Sequence, residues 1–168
     1  VFDAPLASRF GPAGCCILSQ QFYETDLSRG FVRGYNLQIT RGSGPVTTAR
    51  TGLTRGQIPW GAGHHEAFAR RYNHTVNIGV CCEDLPDVNN TVTLDPDLTD
   101  SHGIAAPKVT YRLDENSRRM LQHGLDRGSE VMTAAGATDI YTEGPIRLAG
   151  WHLLGTARMG TDPQRSVV

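Results

Sequence analysis

"FVRGYNLQIT", from Phe31 to Thr40, alternates in character: Phe31, Tyr35, Leu37 and Ile39 fall on one face, Val32, Asn36, Gln38 and Thr40 on the other. A period of two with one apolar face predicts a half-buried strand. A second strand is expected in "TVNIGVCCEDLP" (Thr75 to Pro86), where Val76, Ile78 and Val80 face inward. "NTVTLDP" (from Asn90) and "KVTYRL" (from Lys108) read as two more, and the Pro, Asp and Gly of "DPDLTDSHGIAAP" supply the turn between them. These last three strands are close in sequence, which predicts an antiparallel meander.

The clearest helix is "DENSRRMLQHGLDRGSEVMTAAGA", Asp114 to Ala137. Asp114 can cap it, Met120, Leu121, Leu125, Val131 and Met132 recur at helical spacing, and Gly136 can end it in the left-handed conformation. "GHHEAFARRYNH" (from Gly63) predicts a short helix. Residues 1–20 read as loop. Residues 41–60, rich in glycine and threonine, read as a long loop with at most one short strand, and as the candidate for a substrate lid. With no repeat and no dividing linker, the expectation is one α+β domain: a mainly antiparallel sheet with helices on one side.

Composition narrows the function classes. The chain has 168 residues, 39% of them hydrophobic and 20% charged, which is ordinary for a globular domain. A net charge of −1 offers no general attraction to nucleic acid, and a single lysine (Lys108) beside fifteen arginines forms no aromatic-interleaved basic stripe. No apolar run is long enough to span a membrane. The chain opens on Val1 with no charged-then-apolar leader, so no signal peptide is visible and the compartment is not legible. Residues 83–100 hold six acids and no base, whereas residues 1–82 hold eight arginines against four acids. A polarised surface or an intramolecular match accounts for that.

"GWHLLGTARMGTDPQRSVV", from Gly150 to Val168, carries the chemistry. Histidine exchanges a proton near neutral pH, so His152 is a candidate base; capping a strand or satisfying a buried carbonyl is the alternative. Gly155 and Gly160 permit close backbone approach, and Arg158 adds a fixed positive charge in the same loop.

"HLLGTARMG" followed by "DPQRSVV" resembles the signature of the glucose–methanol–choline (GMC) oxidoreductases, His-x-x-Gly-Thr-x-Arg-Met-Gly, with every fixed position matched by His152, Gly155, Thr156, Arg158, Met159 and Gly160. "FYETDLSRGFVRGYNLQ" and "EDLPDVNNTVTLDPDLTDSHGIAAPKVTYRLDEN" are similar to stretches of bacterial members related to choline, gluconate and sugar dehydrogenases. The resemblance implies an FAD-dependent enzyme acting on an alcohol, polyol or sugar. His152 would take the substrate's hydroxyl proton as hydride passes to flavin N5. Gly155, Thr156, Arg158, Met159 and Gly160 would shape the loop near the flavin. It also implies that residues 1–149 are part of the substrate-binding domain, an antiparallel sheet with helices on one side, and that residues 150–168 begin the C-terminal signature segment.

Two family features are missing from the sequence. The Gly-x-Gly-x-x-Gly that receives the FAD pyrophosphate is absent; "RGSGPV" (Arg41 to Val46) has two glycines in register and is not expected to open a helix. The family's second catalytic residue would follow Val168. The expected partners are therefore the N-terminal FAD-binding and C-terminal segments of a parent protein, with a small alcohol or sugar as substrate. A lyase on the same scaffold and a non-catalytic binding module are the alternative classes.

Other residues invite weaker readings. His64 and His65, adjacent on a short helix, point about 100° apart and make a poor metal pair. His102 and His123 are expected on solvent-exposed positions. Asp95, Asp97 and Asp100 read as turn acids rather than a calcium site. Trp60 and Tyr35 are expected in the core, where they could also wall a pocket. The pairs Cys15-Cys16 and Cys81-Cys82 match no zinc spacing and read as free thiols, Cys82 packing as a small apolar residue, with bridges between the pairs left open.

Overall fold

The computed structural model describes residues 1–7, 10, 16–146, 157 and 159–167. Its centre is a three-stranded antiparallel sheet in the order β1 (Cys16–Ser19), β2 (Tyr35–Thr40), β3 (Asn77–Cys82). β2 meets β3 with Leu37 opposite Val80 and Ile39 opposite Ile78, so the alternating apolar rows of both strands share one face. The helix α3 (Glu115–Ala134) lies on that face. Between them sits the core: Phe31, Tyr35, Leu37 and Met120, with Phe22, Ile78, Val80 and Cys82 packed around it.

α3 begins as its sequence predicts. The Asp114 carboxylate accepts from the Ser117 N–H at 2.8 Å, and Gly136 follows the last turn at φ 87°. Close packing on the sheet depends on two glycines in its interior, Gly124 and Gly128, both buried. Asn116 ties the segment before β2 to the start of α3: its Oδ1 accepts from Val32 N–H at 2.8 Å and its Nδ2 donates to Val32 O at 3.1 Å.

Four expectations are corrected. β3 pairs with β2, and β4 (Thr91–Thr99) and β5 (Ala105–Thr110) form a separate hairpin, so there is no three-stranded meander. Proximity in sequence loses here because Ile78 and Val80 match the apolar row of β2 beneath α3, whereas β4 and β5 close on each other around Asp100, whose Oδ1 accepts from His102 and Ile104 N–H. Residues 16–19, read as loop, add an edge strand. The stretch 41–60 contains a helix, α1 (Pro45–Thr54), and "RGSGPV" does open it, with Gly44 as N-cap and Pro45 in the first turn. Trp60 is 87% exposed rather than in the core; Tyr35, at 1%, is buried as expected.

The short helix α2 (His64–Arg71) stands where the sequence puts it. The expected fold class, α+β with antiparallel sheets and helices, is the one observed.

Candidate active site

A cleft of about 440 Å³ opens along the outer edge of β3. Asn77 and Gly79 line it from one face of that strand and Ile78 and Val80 from the other, so the cleft wraps the strand's free edge. α1 supplies one wall through Thr47 and Thr51, with Arg55 at its C-cap, and residues 139–143 with Ile146 supply the opposite one. An ion pair joins these walls, Arg55 to Glu143 at 2.6 Å. A second, Arg71 to Asp139 at 3.3 Å, lies at the rim, where Arg71 also donates to Gln57 O at 3.3 Å. Both partners of each pair are partly exposed, so these contacts order the rim more than they add stability.

The sheet has two unlike faces, and this decides what the cleft offers a ligand. α3 covers the apolar one. The other carries Asn36, Gln38 and Thr40 on β2 and Asn77, Gly79 and Cys81 on β3, neutral and mostly polar, with no helix packed over it among the described residues. Gln38 and Thr40 reach the cleft from this side. Gln38 Nε2 donates to Asn36 Oδ1 at 3.1 Å, a bond along one strand that orients both amides.

Behind the sheet lies a feature the sequence reading misplaces. His123 is not a solvent-exposed helix residue. Its Nδ1 lies 2.7 Å from the Tyr35 hydroxyl, and its ring meets Phe22, Phe31 and Tyr35 edge-on at 5.4–5.7 Å between centroids. Burial first, then the Arg127 and Arg29 charges, lower its pKa below the usual 6.5. Burial raises that of Tyr35 to about 12, which keeps the phenol a donor. The clue available in sequence was the spacing Met120, His123, Gly124, which puts the histidine beside the buried stripe.

Of the signature residues, His152, Gly155, Thr156 and Arg158 lie outside the described residues, as does Cys15. Met159 is 81% exposed. Gly160 belongs to a compact turn: Ser166 Oγ donates to Gly160 O at 3.1 Å and to Asp162 O at 2.6 Å. A Cβ at position 160 would lie 3.0 Å from that of Ser166, so a small residue suits the turn itself.

The remaining candidates resolve into local structure. His64 Nδ1 lies 3.1 Å from Pro59 O, His65 and His102 are exposed, and no group of metal-binding side chains occurs among the described residues. Asp95 accepts from the Asp97 and Leu98 N–H groups, as a turn acid does. Cys81 and Cys82 are free thiols, the second packed against the core as expected. No helix among the described residues is long and apolar enough to cross a membrane.

The geometry also tests for an FAD cradle. β2, the loop 41–44 and α1 form a strand–glycine–helix succession, yet Pro45 removes an N–H from the first turn and Thr47 stands where a third glycine would. β2 is antiparallel to both neighbours, so no parallel βαβ unit surrounds it. The described residues do not fit the pyrophosphate.

Comparison with known proteins gives a consistent set. Residues 86–168 match the family model described as GMC oxidoreductase. The chain is 39% identical over 158 residues to 2-methyl-1,2-propanediol dehydrogenase of Mycolicibacterium austroafricanum, an alignment covering 94% of this chain and 29% of that protein. It is 37% identical over 103 residues to the fructose dehydrogenase large subunit of Gluconobacter japonicus, covering 61% and 19%. Against paromamine 6'-oxidase of Streptomyces fradiae it is 35% identical over 86 residues, covering 51% and 16%. The chain thus spans less than a third of the length of each of these relatives.

Proposed function

Since the chain belongs to the GMC oxidoreductase family, we propose that it is part of a flavin-dependent enzyme that oxidises an alcohol, polyol or sugar hydroxyl. Residues 1–149 are then part of its substrate-binding domain and residues 150–168 the start of its signature segment. The observation that carries this reading is the complete match of His152, Gly155, Thr156, Arg158, Met159 and Gly160 to the signature. Relatives that include two dehydrogenases and an oxidase support it.

His152 acts as the base. An alcohol carbon gives up hydride poorly until its oxygen approaches an alkoxide, so the residue needed is one that takes the hydroxyl proton at neutral pH. His152 follows Ile146 of the cleft wall by six positions, and six steps of extended chain span at most about 22 Å. The flavin, when bound, supplies the hydride acceptor. On this reading it is bound mainly by parts of the parent protein outside these 168 residues, with the signature loop beside it, which agrees with described residues that make no cradle for its pyrophosphate.

Anaerobic flavin reduction in the full-length protein tests the reading. Alcohol, polyol or sugar should bleach the flavin, and His152→Ala should slow bleaching roughly 10²–10⁴-fold, the range for losing a general base. Bleaching at an unchanged rate would remove His152 from the mechanism. A parent protein that binds no flavin would remove the function.

A further inference from the structure

We propose that Gln38, oriented by Asn36, sets a preference for substrates that carry a second hydroxyl in addition to the one oxidised. The inference rests on the functional reading above and deepens it. Gln38 stands on the sheet face that α3 leaves uncovered, is half-buried, and lines the cleft. Its Nε2 donates to Asn36 Oδ1 at 3.1 Å. An amide has two N–H donors and a carbonyl acceptor, so this bond fixes its orientation and leaves acceptor and donor capacity for a ligand.

Access to the amide comes from the facing strand. Gly79 is directly opposite Gln38 in register, and a Cβ at 79 would lie 3.8 Å from both Gln38 Cβ and Gln38 O. A larger side chain there would cover the amide; glycine leaves a recess over it. The next pair on the same face, Thr40 and Asn77, extends the polar surface with a hydroxyl and another amide.

Charge decides the ligand class. Asn36, Gln38, Thr40 and Asn77 carry none, and the four charged side chains described along the cleft pair as Arg55–Glu143 and Arg71–Asp139, with the Val1 amino group donating to Asp139 O. A charged group entering beside Gln38 would lose water where its described neighbours on that face, Asn36, Thr40 and Asn77, offer no countercharge. A neutral hydroxyl exchanges water for an amide at little cost. A diol or polyol therefore gains at Gln38 what a simple alcohol cannot.

The test uses the full-length protein with flavin bound and compares propane-1,2-diol with propan-1-ol. Wild type should prefer the diol. Gln38→Leu should raise KM for the diol about tenfold more than it raises KM for propan-1-ol, with kcat held, since the contact binds ground and transition states alike. Gly79→Val, on the other strand and favourable to it, should give the same split by covering the amide. Equal effects on both substrates, or none, would overturn the proposal. A wild-type protein whose flavin no alcohol reduces would overturn the functional reading beneath it, and this inference with it.

Discussion

Gly124 of α3 faces Val80 of β3 so closely that a Cβ at position 124 would lie 2.4 Å from Val80 Cγ1, and 3.3 Å from the Tyr35 ring. One turn on, a Cβ at Gly128 would find Ile78 Cγ2 at an ordinary 3.7 Å. Helix propensity favours alanine over glycine at both sites by about 1 kcal/mol. At 124 the clash wins, because a 2.4 Å approach is far inside van der Waals contact, overpacking costs about 1–3 kcal/mol, and the β-branched Val80 has only a stiff χ1 with which to adjust. Gly124→Ala should therefore lower stability, by up to about 2 kcal/mol net, while Gly128→Ala raises it by up to about 1 kcal/mol. Urea denaturation of the two variants checks the opposite signs.

The two adjacent thiols of β3 point to opposite faces and should differ in reactivity. Cys81 is exposed on the uncovered face; Cys82 packs into the core, where burial first and then its neighbour raise its pKa to about 12. The thiolate is the nucleophile, and at pH 8 a group of that pKa is ionised in about one molecule in ten thousand. Peptide-resolved labelling of Cys81→Ser and Cys82→Ser should show Cys81 alkylated at least about a hundredfold faster. Comparable rates would mean that β3 does not hold Cys82 against α3.

Asp114 does more than cap a helix. Its two oxygens accept from Ser117 N–H at 2.8 Å and Ser117 Oγ at 2.9 Å, and Ser117 Oγ also lies 2.9 Å from Asp84 Oδ1, just beyond β3. Asp114→Ala should cost about 1–2 kcal/mol, the upper part of the range for a lost cap, since a buried serine loses a partner too. Asp114→Asn, which still caps, should recover most of it in thermal denaturation.

How much of this was legible in the sequence follows from where the information resides. β2, β3 and α3 write their burial as periodicity, and Tyr35, Leu37, Ile78, Val80 and Met120 all fall where the pattern puts them. α1 has no such stripe: its buried positions are Thr48 and Gly52, and Gly52 is set by contact, a Cβ there meeting Ile58 Cδ1 at 2.4 Å. The pairing of β3 with β2 spans a gap from Thr40 to Asn77, a long-range choice that local pattern cannot express. At the candidate site the signature was readable as a motif. The neutral face of Asn36 and Gln38 was visible as the polar half of a strand, but its use required knowing which face α3 covers.

His123 makes the folded protein sensitive to pH in a defined direction. Neutral Nδ1 accepts from the Tyr35 hydroxyl across 2.7 Å; a protonated ring would present a donor to a donor, forcing the hydroxyl to turn within a ring cluster of Phe22, Phe31 and Tyr35. Of the charges around it, Arg127 and Arg29 oppose protonation, and Asp126 and Glu130 favour it less strongly. The folded pKa is thus below the unfolded value near 6.5, and the unfolded chain binds the proton more readily. Stability from this residue is intact above pH 6.5 and declines as pH falls from there through the lower folded pKa. His123→Gln, which can still accept from Tyr35, removes the titration. Wild type should therefore lose stability relative to His123→Gln between pH 7.5 and 5.5, with the difference flat above pH 7. Parallel denaturation curves across that range would show that the ring titrates as it does in water.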